Sequence, residues 1–264
     1  MTQRTQFTMT TFKMAQIICF ITILLQTIVR ANSSNGNVPA PQTAGTVELE
    51  VICGSMYSGK SDLLISRIQR AEIARKKVQL FKHALDDRYE NPDKINAHNG
   101  KTSTEKAIPI RNANEILSHL HHDTDMIAID EAQFLDSSIV QVCQHLLQSS
   151  KGQSHPPRNG RTLSKIIIAG LDLDFRGEPF GPMPQLLAIA HKVHKLHAIC
   201  VICGKDDFTV TQRIVNGQPA NYQDEIIMVG AKEVYEARCR QCHEICNSPY
   251  ENYSNHNGEP QEGE

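Results

Sequence analysis

The chain has 264 residues, enough for a substantial core in one or two domains. Its 27 basic and 29 acidic residues nearly cancel, which argues against a protein that coats nucleic acid by bulk charge, though not against a local basic groove. With no tryptophan and 5% aromatic residues, a broad base-stacking platform is not expected either.

In chain order, Arg4 and Lys13 precede a mostly apolar run, Ile17 to Val29, which resembles a secretory signal. The run is short and interrupted by Thr22, Gln26 and Thr27, so no stable membrane association is expected. Residues 1–45 are taken as a leader, a misassigned start or a disordered extension. Thiols further along favour a reducing, cytoplasmic setting.

Val47, Leu49 and Val51 alternate with Glu48 and Glu50, a half-buried strand running into Ile52 and Cys53. Gly54-Ser55-Met56-Tyr57-Ser58-Gly59-Lys60-Ser61 follows, reading G-x-x-x-x-G-K-S, the phosphate-binding loop pattern. Leu63, Leu64, Arg67, Ile68 and Ile73 then predict a helix with one apolar face. The order strand, glycine loop, helix aims backbone N–H groups and a helix N-terminus at an anion. Lys60 supplies a charge for the terminal phosphates of ATP, and Ser61 a hydroxyl for Mg2+.

Val78 to Phe81 predicts a short strand, Lys82 to Lys106 a polar loop near the phosphates, and Asn114 to Leu120 a short helix capped by Asn112 or Asn114. Met126 to Ile129 is a buried strand ending in Asp130 and Glu131. An acid at a strand end beside a phosphate loop suits Mg2+, and a second acid next to it can act as a base. Ile139, Val140, Cys143, Leu146 and Leu147 mark the inner face of a further helix, with Cys143 a small core residue. Residues 149–164 form a long polar loop. The buried strand Ile166 to Ala169 leads into Leu171 to Gly181, whose glycines, acids and phenylalanines suit a ligand wall at a strand's C-terminal end.

Near Leu196 a smaller module begins. Cys200-x-x-Cys203 and Cys239-x-x-Cys242 bracket two strand-like runs, Phe208 to Val215 and Glu225 to Val229. Four thiolates so paired make a closed structural Zn2+ site, clipping together a module too small for its own large core. His243 and Cys246 stand close by as bystanders. The polar residues after Asn247 are expected to be disordered.

Taken together, these stretches resemble the type II thymidine kinases over roughly residues 46 to 246. The resemblance is carried by Gly54 to Ser61, Asp86-Asp87-Arg88-Tyr89, Ile129 to Phe134, Leu171 to Gly181, Val229-Gly230-Ala231 with Tyr235, and the two cysteine pairs. It implies an α/β fold with a P-loop NTPase-like parallel sheet, helices on both faces, and a small C-terminal zinc-ribbon or lasso domain. The domains would be 46–195 for ATP and 196–246 for the lasso, with 1–45 and 247–264 outside them. It implies ATP-dependent phosphorylation of the thymidine 5′-hydroxyl, a homotetramer, and no nucleic-acid partner.

By motif position Glu131 matches the general base, and Ser61, Asp86 and Asp130 match the Mg2+ site. Arg88, Ala132 and Gln133 fall on the phosphate side. Phe134, Leu171, Phe175, Thr211 and Tyr235 match the nucleoside pocket, with Met228, Val229 and Gly230 as lasso backbone reading the base. The competing classes are a nucleic-acid-directed ATPase with a zinc ribbon, and a binding module with an inactive phosphate loop. Balanced charge opposes the first, and intact Lys60, Ser61, Asp130 and Glu131 oppose the second.

Overall fold

The alternating run that opens the core forms β1, Glu48–Gly54. The computed structural model describes residues 46–84, 95, 102–149, 163–227 and 233–249, and the elements below belong to one unit of the chain. Expectations for residues 1–45, Asp86, Arg88, the loop at 150–162, Met228, Val229, Gly230 and the tail from 250 onward fall outside these residues. Among the described residues no helix is long and apolar enough to cross a membrane.

After β1 come α1 (Lys60–Ile73), β2 (Val78–His83), β3 (Ala107–Ile110), α2 (Glu115–His119) and β4 (Met126–Asp130). Then follow α3 (Ser138–Ser149), β5 (Lys165–Gly170), α4 (Met183–Ile189) and β6 (Lys192–Leu196). The six strands lie in the order β3-β2-β4-β5-β1-β6, and every pairing is parallel. Parallel strands need crossover helices, so both faces of the sheet are covered. Ile52, Leu80, Ala128 and Ile167 pack on Leu64, Ile65, Ile68 and Ala71 of α1. Val51, Phe81, Ile129 and Ile168 pack on Ile116 of α2, Ile139 and Cys143 of α3, and Met183 and Leu186 of α4. The three fully buried aliphatics of α1, Leu64, Ile65 and Ile68, contribute roughly 1.5–3 kcal/mol each relative to exposure. They anchor the helix that begins at the phosphate loop.

Several expectations need correction. β1 is not half-buried: Glu50 is 1% exposed, because its supposed solvent face lies under α1. Its carboxylate accepts from Arg67 Nε at 2.9 Å and pairs with Lys165 and with His194 Nε2 at 3.0 Å. Burial alone would raise its pKa, but bonds from Lys165 and Arg67 win and hold it below the ordinary carboxylate value. Ile73 leaves the apolar face and is 82% exposed. It lies five residues past Ile68, which turns it about 140° around a helix of 3.6 residues per turn. Neither asparagine caps α2: Asn114 occupies the N-cap position but its Nδ2 donates to Ser138 Oγ at 3.2 Å, and Asn112 Nδ2 donates to Glu115 Oε1. The supposed loop from Lys82 starts later, since Lys82 and His83 belong to β2.

The C-terminal module is a three-stranded antiparallel ribbon of β7 (Thr209–Val215), β8 (Gln218–Pro219) and β9 (Glu233–Cys239), in the order β8-β7-β9. Residues 225–227 are irregular, so the described part of the expected run Glu225 to Val229 is not a strand. The ribbon's long partner strand is β9, where polar and apolar residues alternate, rather than the continuous apolar run before it.

Candidate functional site

Because the strands are parallel, the ends of β1, β2, β4, β5 and β6 come to one edge of the sheet, where open α/β sheets bind ligands. Gly54 ends β1 with φ 141°, and a Cβ there would stand 2.1 Å from the Leu196 carbonyl oxygen at the end of β6. No other residue fits. Gly59 adopts φ 83° and releases the chain into α1 at Lys60. Lys60 Nζ donates to the Ser55 carbonyl at 2.7 Å. Burial pushes the Lys60 ammonium pKa down, while Glu131, Asp130 and Asp172 pull the other way. Ser58 Oγ is buried with no hydrogen-bond partner among the described residues. An orphaned hydroxyl, a crowded lysine and a helix N-terminus together make a cradle suited to the phosphates of ATP.

The carboxylates at the end of β4 face the same edge. Asp130 is 5% exposed, and its Oδ1 accepts the Glu131 N–H at 3.0 Å. Glu131 sits in the left-handed region, φ 53° and ψ 42°, a conformation uncommon outside glycine. The bend turns the chain into a 3-10 turn over Ala132–Phe134. Gln133 Nε2 donates to Glu131 Oε2 at 2.5 Å, and its Oε1 accepts the Leu171 N–H at 3.0 Å. Gln133 therefore brackets Glu131 between the ends of β4 and β5, and Ala132 is buried beneath the turn. A Cβ at Gly170 would stand 2.8 Å from Gln133 Oε1, and one at Gly181 2.3 Å from its carbonyl oxygen.

Aromatic residues gather where this turn ends at Phe134. Phe134 meets Phe180 edge-on with centroids 5.7 Å apart, and His83 lies 6.2 Å from Phe134. Phe175 is buried, and the Arg213 guanidinium stacks 3.7 Å from its ring centre. Arg213 itself is fully buried; its Nη1 donates to the Glu225 carbonyl at 2.7 Å.

The ribbon closes on the phosphate loop. In the β7–β9 register Thr209, Thr211 and Arg213 oppose Cys239, Ala237 and Tyr235, so these six share one face. Thr211 Oγ1 accepts the Met56 N–H at 3.0 Å, and Thr209 Oγ1 lies 2.7 Å from Ser55 Oγ. The face carrying Tyr235 is thus the one turned toward the loop. Thr211, expected beside the nucleoside, has its hydroxyl oxygen engaged by the loop backbone. Nothing local in the sequence marked Thr209, Arg213 or the Gln133–Leu171 bond, since these partners lie far along the chain.

At the end of the ribbon one sulfur each from Cys200, Cys203, Cys239 and Cys242 lies within 4.8 Å of the others. The Cys203 and Cys239 sulfurs are 3.7 Å apart. A tetrahedral ion with bonds of about 2.3 Å wants sulfurs about 3.8 Å apart, so the donors fit Zn2+. Backbone hydrogen bonding, at Cys239 first, draws the Cys200 thiol down to about 6. The sulfurs beside it, Cys239 first, push Cys242 up to about 12. Four adjacent thiolates need a cation to ionise together. His243 and Cys246 stay out of the cluster: His243 Nε2 bonds the Phe175 carbonyl at 2.9 Å, and Cys246 Sγ the Pro219 carbonyl at 3.3 Å. Cys143 is a buried core thiol, pushed up to about 12 by desolvation.

A family model described as thymidine kinase matches residues 47–243, from the residue before β1 to the residue after the fourth clustered cysteine.

Proposed function

Because the chain belongs to the thymidine kinase family and is therefore a nucleoside kinase, we propose that it transfers the γ-phosphoryl group of ATP to the 5′-hydroxyl of thymidine, giving dTMP and ADP. The observation that carries this reading is the placement of Lys60, just after β1, and of Asp130 and Glu131, at the end of β4, on one edge of the parallel sheet. A phosphate-holding cation and a base for the acceptor hydroxyl are the two groups an in-line transfer needs close together.

In this reading the loop from Gly54 to Ser61 and Lys60 hold the triphosphate. Glu131 takes the proton of the 5′-hydroxyl as that oxygen attacks phosphorus, and the bridging oxygen leaves with ADP. Gln133 keeps the Glu131 carboxylate oriented through its 2.5 Å bond. Ser61, Asp86 and Asp130 are the residues that would hold Mg2+, which supplies charge neutralisation on the phosphates when bound. Arg88 is assigned to the transferred group, and Ala132 and Gln133 flank the phosphate side. Phe134, Leu171, Phe175, Thr211 and Tyr235 are assigned to the nucleoside, with Met228 to Gly230 reading the base edge. Zn2+ held by the four cysteines is structural. The division into 46–195 and 196–246, a cytoplasmic homotetramer and a role in nucleotide salvage belong to the same proposal.

The test measures ATP consumption by the full chain with thymidine, with single-stranded DNA and with neither. Thymidine-dependent turnover is expected. Turnover that depends on DNA, or no turnover at all, would overturn the reading in favour of a motor-like ATPase or an inactive module.

A further inference from the structure

We propose that Thr209 is a positioning residue for the phosphate loop, transmitting the fold of the four-cysteine ribbon to Ser55 and, through the Ser55 carbonyl, to Lys60. The proposal rests on the ATP-binding part of the reading above and not on the identity of the acceptor.

Thr209 is 3% exposed and stands opposite Cys239 in the β7–β9 register. Its Oγ1 accepts the Ala198 N–H at 2.9 Å, two residues before Cys200. A threonine hydroxyl has one proton and two lone pairs, so one lone pair is taken and the oxygen can still bond Ser55 Oγ at 2.7 Å. Ser55 is 3% exposed, and its carbonyl accepts from Lys60 Nζ at 2.7 Å. Three consecutive links therefore run from the first cysteine knuckle to the lysine of the phosphate loop, with 154 residues separating Ser55 from Thr209. Two positions on, Thr211 accepts the Met56 N–H from the same face of β7. The ribbon thus holds two successive loop residues, one by side chain and one by backbone.

The physical consequence concerns preorganisation. A phosphate loop works by presenting several N–H groups at fixed positions, and displacements beyond about 0.5 Å degrade such a site. Within the loop the Ser58 N–H reaches the Ser55 carbonyl only at 3.4 Å, so external restraint lowers the ordering cost on binding. Thr209 supplies that restraint through a hydroxyl whose partners, Ala198 and Ser55, are not among the residues assigned to the nucleoside. Loss of its hydroxyl should therefore weaken ATP and leave the nucleoside nearly untouched.

The experiment uses the full chain with its metal. ATP affinity, with magnesium and without nucleoside, is measured by calorimetry for wild type, Thr209→Val, Thr209→Ser, Ser55→Ala and the double variant Thr209→Val/Ser55→Ala. The KM values for ATP and thymidine are measured in parallel. Thr209→Val is expected to weaken ATP about 5- to 20-fold, the scale of one buried hydrogen bond. The thymidine KM should move less than about twofold, Thr209→Ser should stay near wild type, and the double variant should be no worse than the poorer single. Unchanged ATP affinity in Thr209→Val, equal shifts for ATP and thymidine, or additive effects of the two substitutions would each overturn the proposal. Should Thr209→Val fail to fold, Ser55→Ala must weaken ATP while Thr209→Ser does not, and wild-type affinity in Ser55→Ala overturns it. A wild type that binds ATP without phosphorylating thymidine would sink the proposed function and leave the calorimetric comparison intact.

Discussion

The Arg213 guanidinium lies 3.7 Å from the centre of the Phe175 ring while its Nη1 bonds the Glu225 carbonyl. One buried cation thereby ties the Phe175 ring to the backbone at Glu225 and Ile226. Arg213→Met keeps much of the side-chain volume but removes the charge and the planar fork. Stacking and a charge-assisted bond of this kind are together worth about 2–3 kcal/mol. We expect the thymidine KM to rise at least tenfold with the ATP KM unchanged, measured by steady-state kinetics on both substrates. A rise in both would mean that Arg213 supports the fold generally.

Glu131→Gln tests the base. The carboxylate loses its ability to accept a proton, while the shape of the site and the Gln133 amide beside it remain. General-base catalysis contributes about 10²- to 10⁴-fold, so kcat should drop within that range. ATP affinity by calorimetry should stay within about threefold of wild type. Retained turnover would remove Glu131 from the role.

The proposed function predicts nucleoside discrimination by hydrogen bonding rather than by size. A pocket cannot strongly reject the loss of one methyl group, worth about 0.8 kcal/mol, whereas a wrong base edge leaves buried polar groups unpaired at about 1–3 kcal/mol each. Deoxyuridine should therefore be a poorer but real substrate, and deoxycytidine should be turned over far more slowly. Equal kcat/KM for thymidine and deoxycytidine would contradict this pocket.

Glu50 predicts a pH dependence. Its folded pKa lies below its ordinary value of 4.5 because Lys165 and Arg67 hold the ionised form. A carboxylate with a depressed folded pKa stabilises the protein fully above the unfolded value and loses that contribution as pH falls through the folded one. The wild type should thus lose stability below about pH 4.5. Glu50→Gln should cost about 3 kcal/mol at pH 7, since it leaves cations facing a buried neutral group. Denaturant melts from pH 7 to 3 should show the difference between the two proteins shrinking toward the acid end. A constant difference would show that the ion pairs add nothing.

Metal removal should affect both ends of the ribbon. Structural zinc in small modules contributes about 10–16 kcal/mol of apparent binding energy. Cys239→Ser or chelation should lower the melting temperature of the ribbon, and ATP affinity should fall with it because Thr209 stands opposite Cys239. Wild-type ATP binding in a protein shown by metal analysis to lack zinc would separate the two sites.

Much of this protein could be read along the chain. The phosphate loop, the Asp130–Glu131 strand end and the paired cysteines each draw their chemistry from residues within eight positions of one another. Covalent neighbours keep their spacing in any fold, so such motifs are visible before the fold is known. The strand-like run from Phe208 to Val215 and the apolar faces of α1 and α3 were legible for the same reason. Other features had no local signature. The burial of Glu50 depends on α1 covering one face of β1, the strand β9 is chosen by its register with β7, and β3, α4 and β6 are short. The approach of Thr209 to Ser55 and of Arg213 to Phe175 arises only when strand order folds the ribbon back on the sheet edge. Sequence by itself determined which chemical groups the protein owns; the tertiary structure decided which of them meet, because hydrogen bonds and ring contacts act over a few ångströms while their partners lie tens to more than a hundred residues apart.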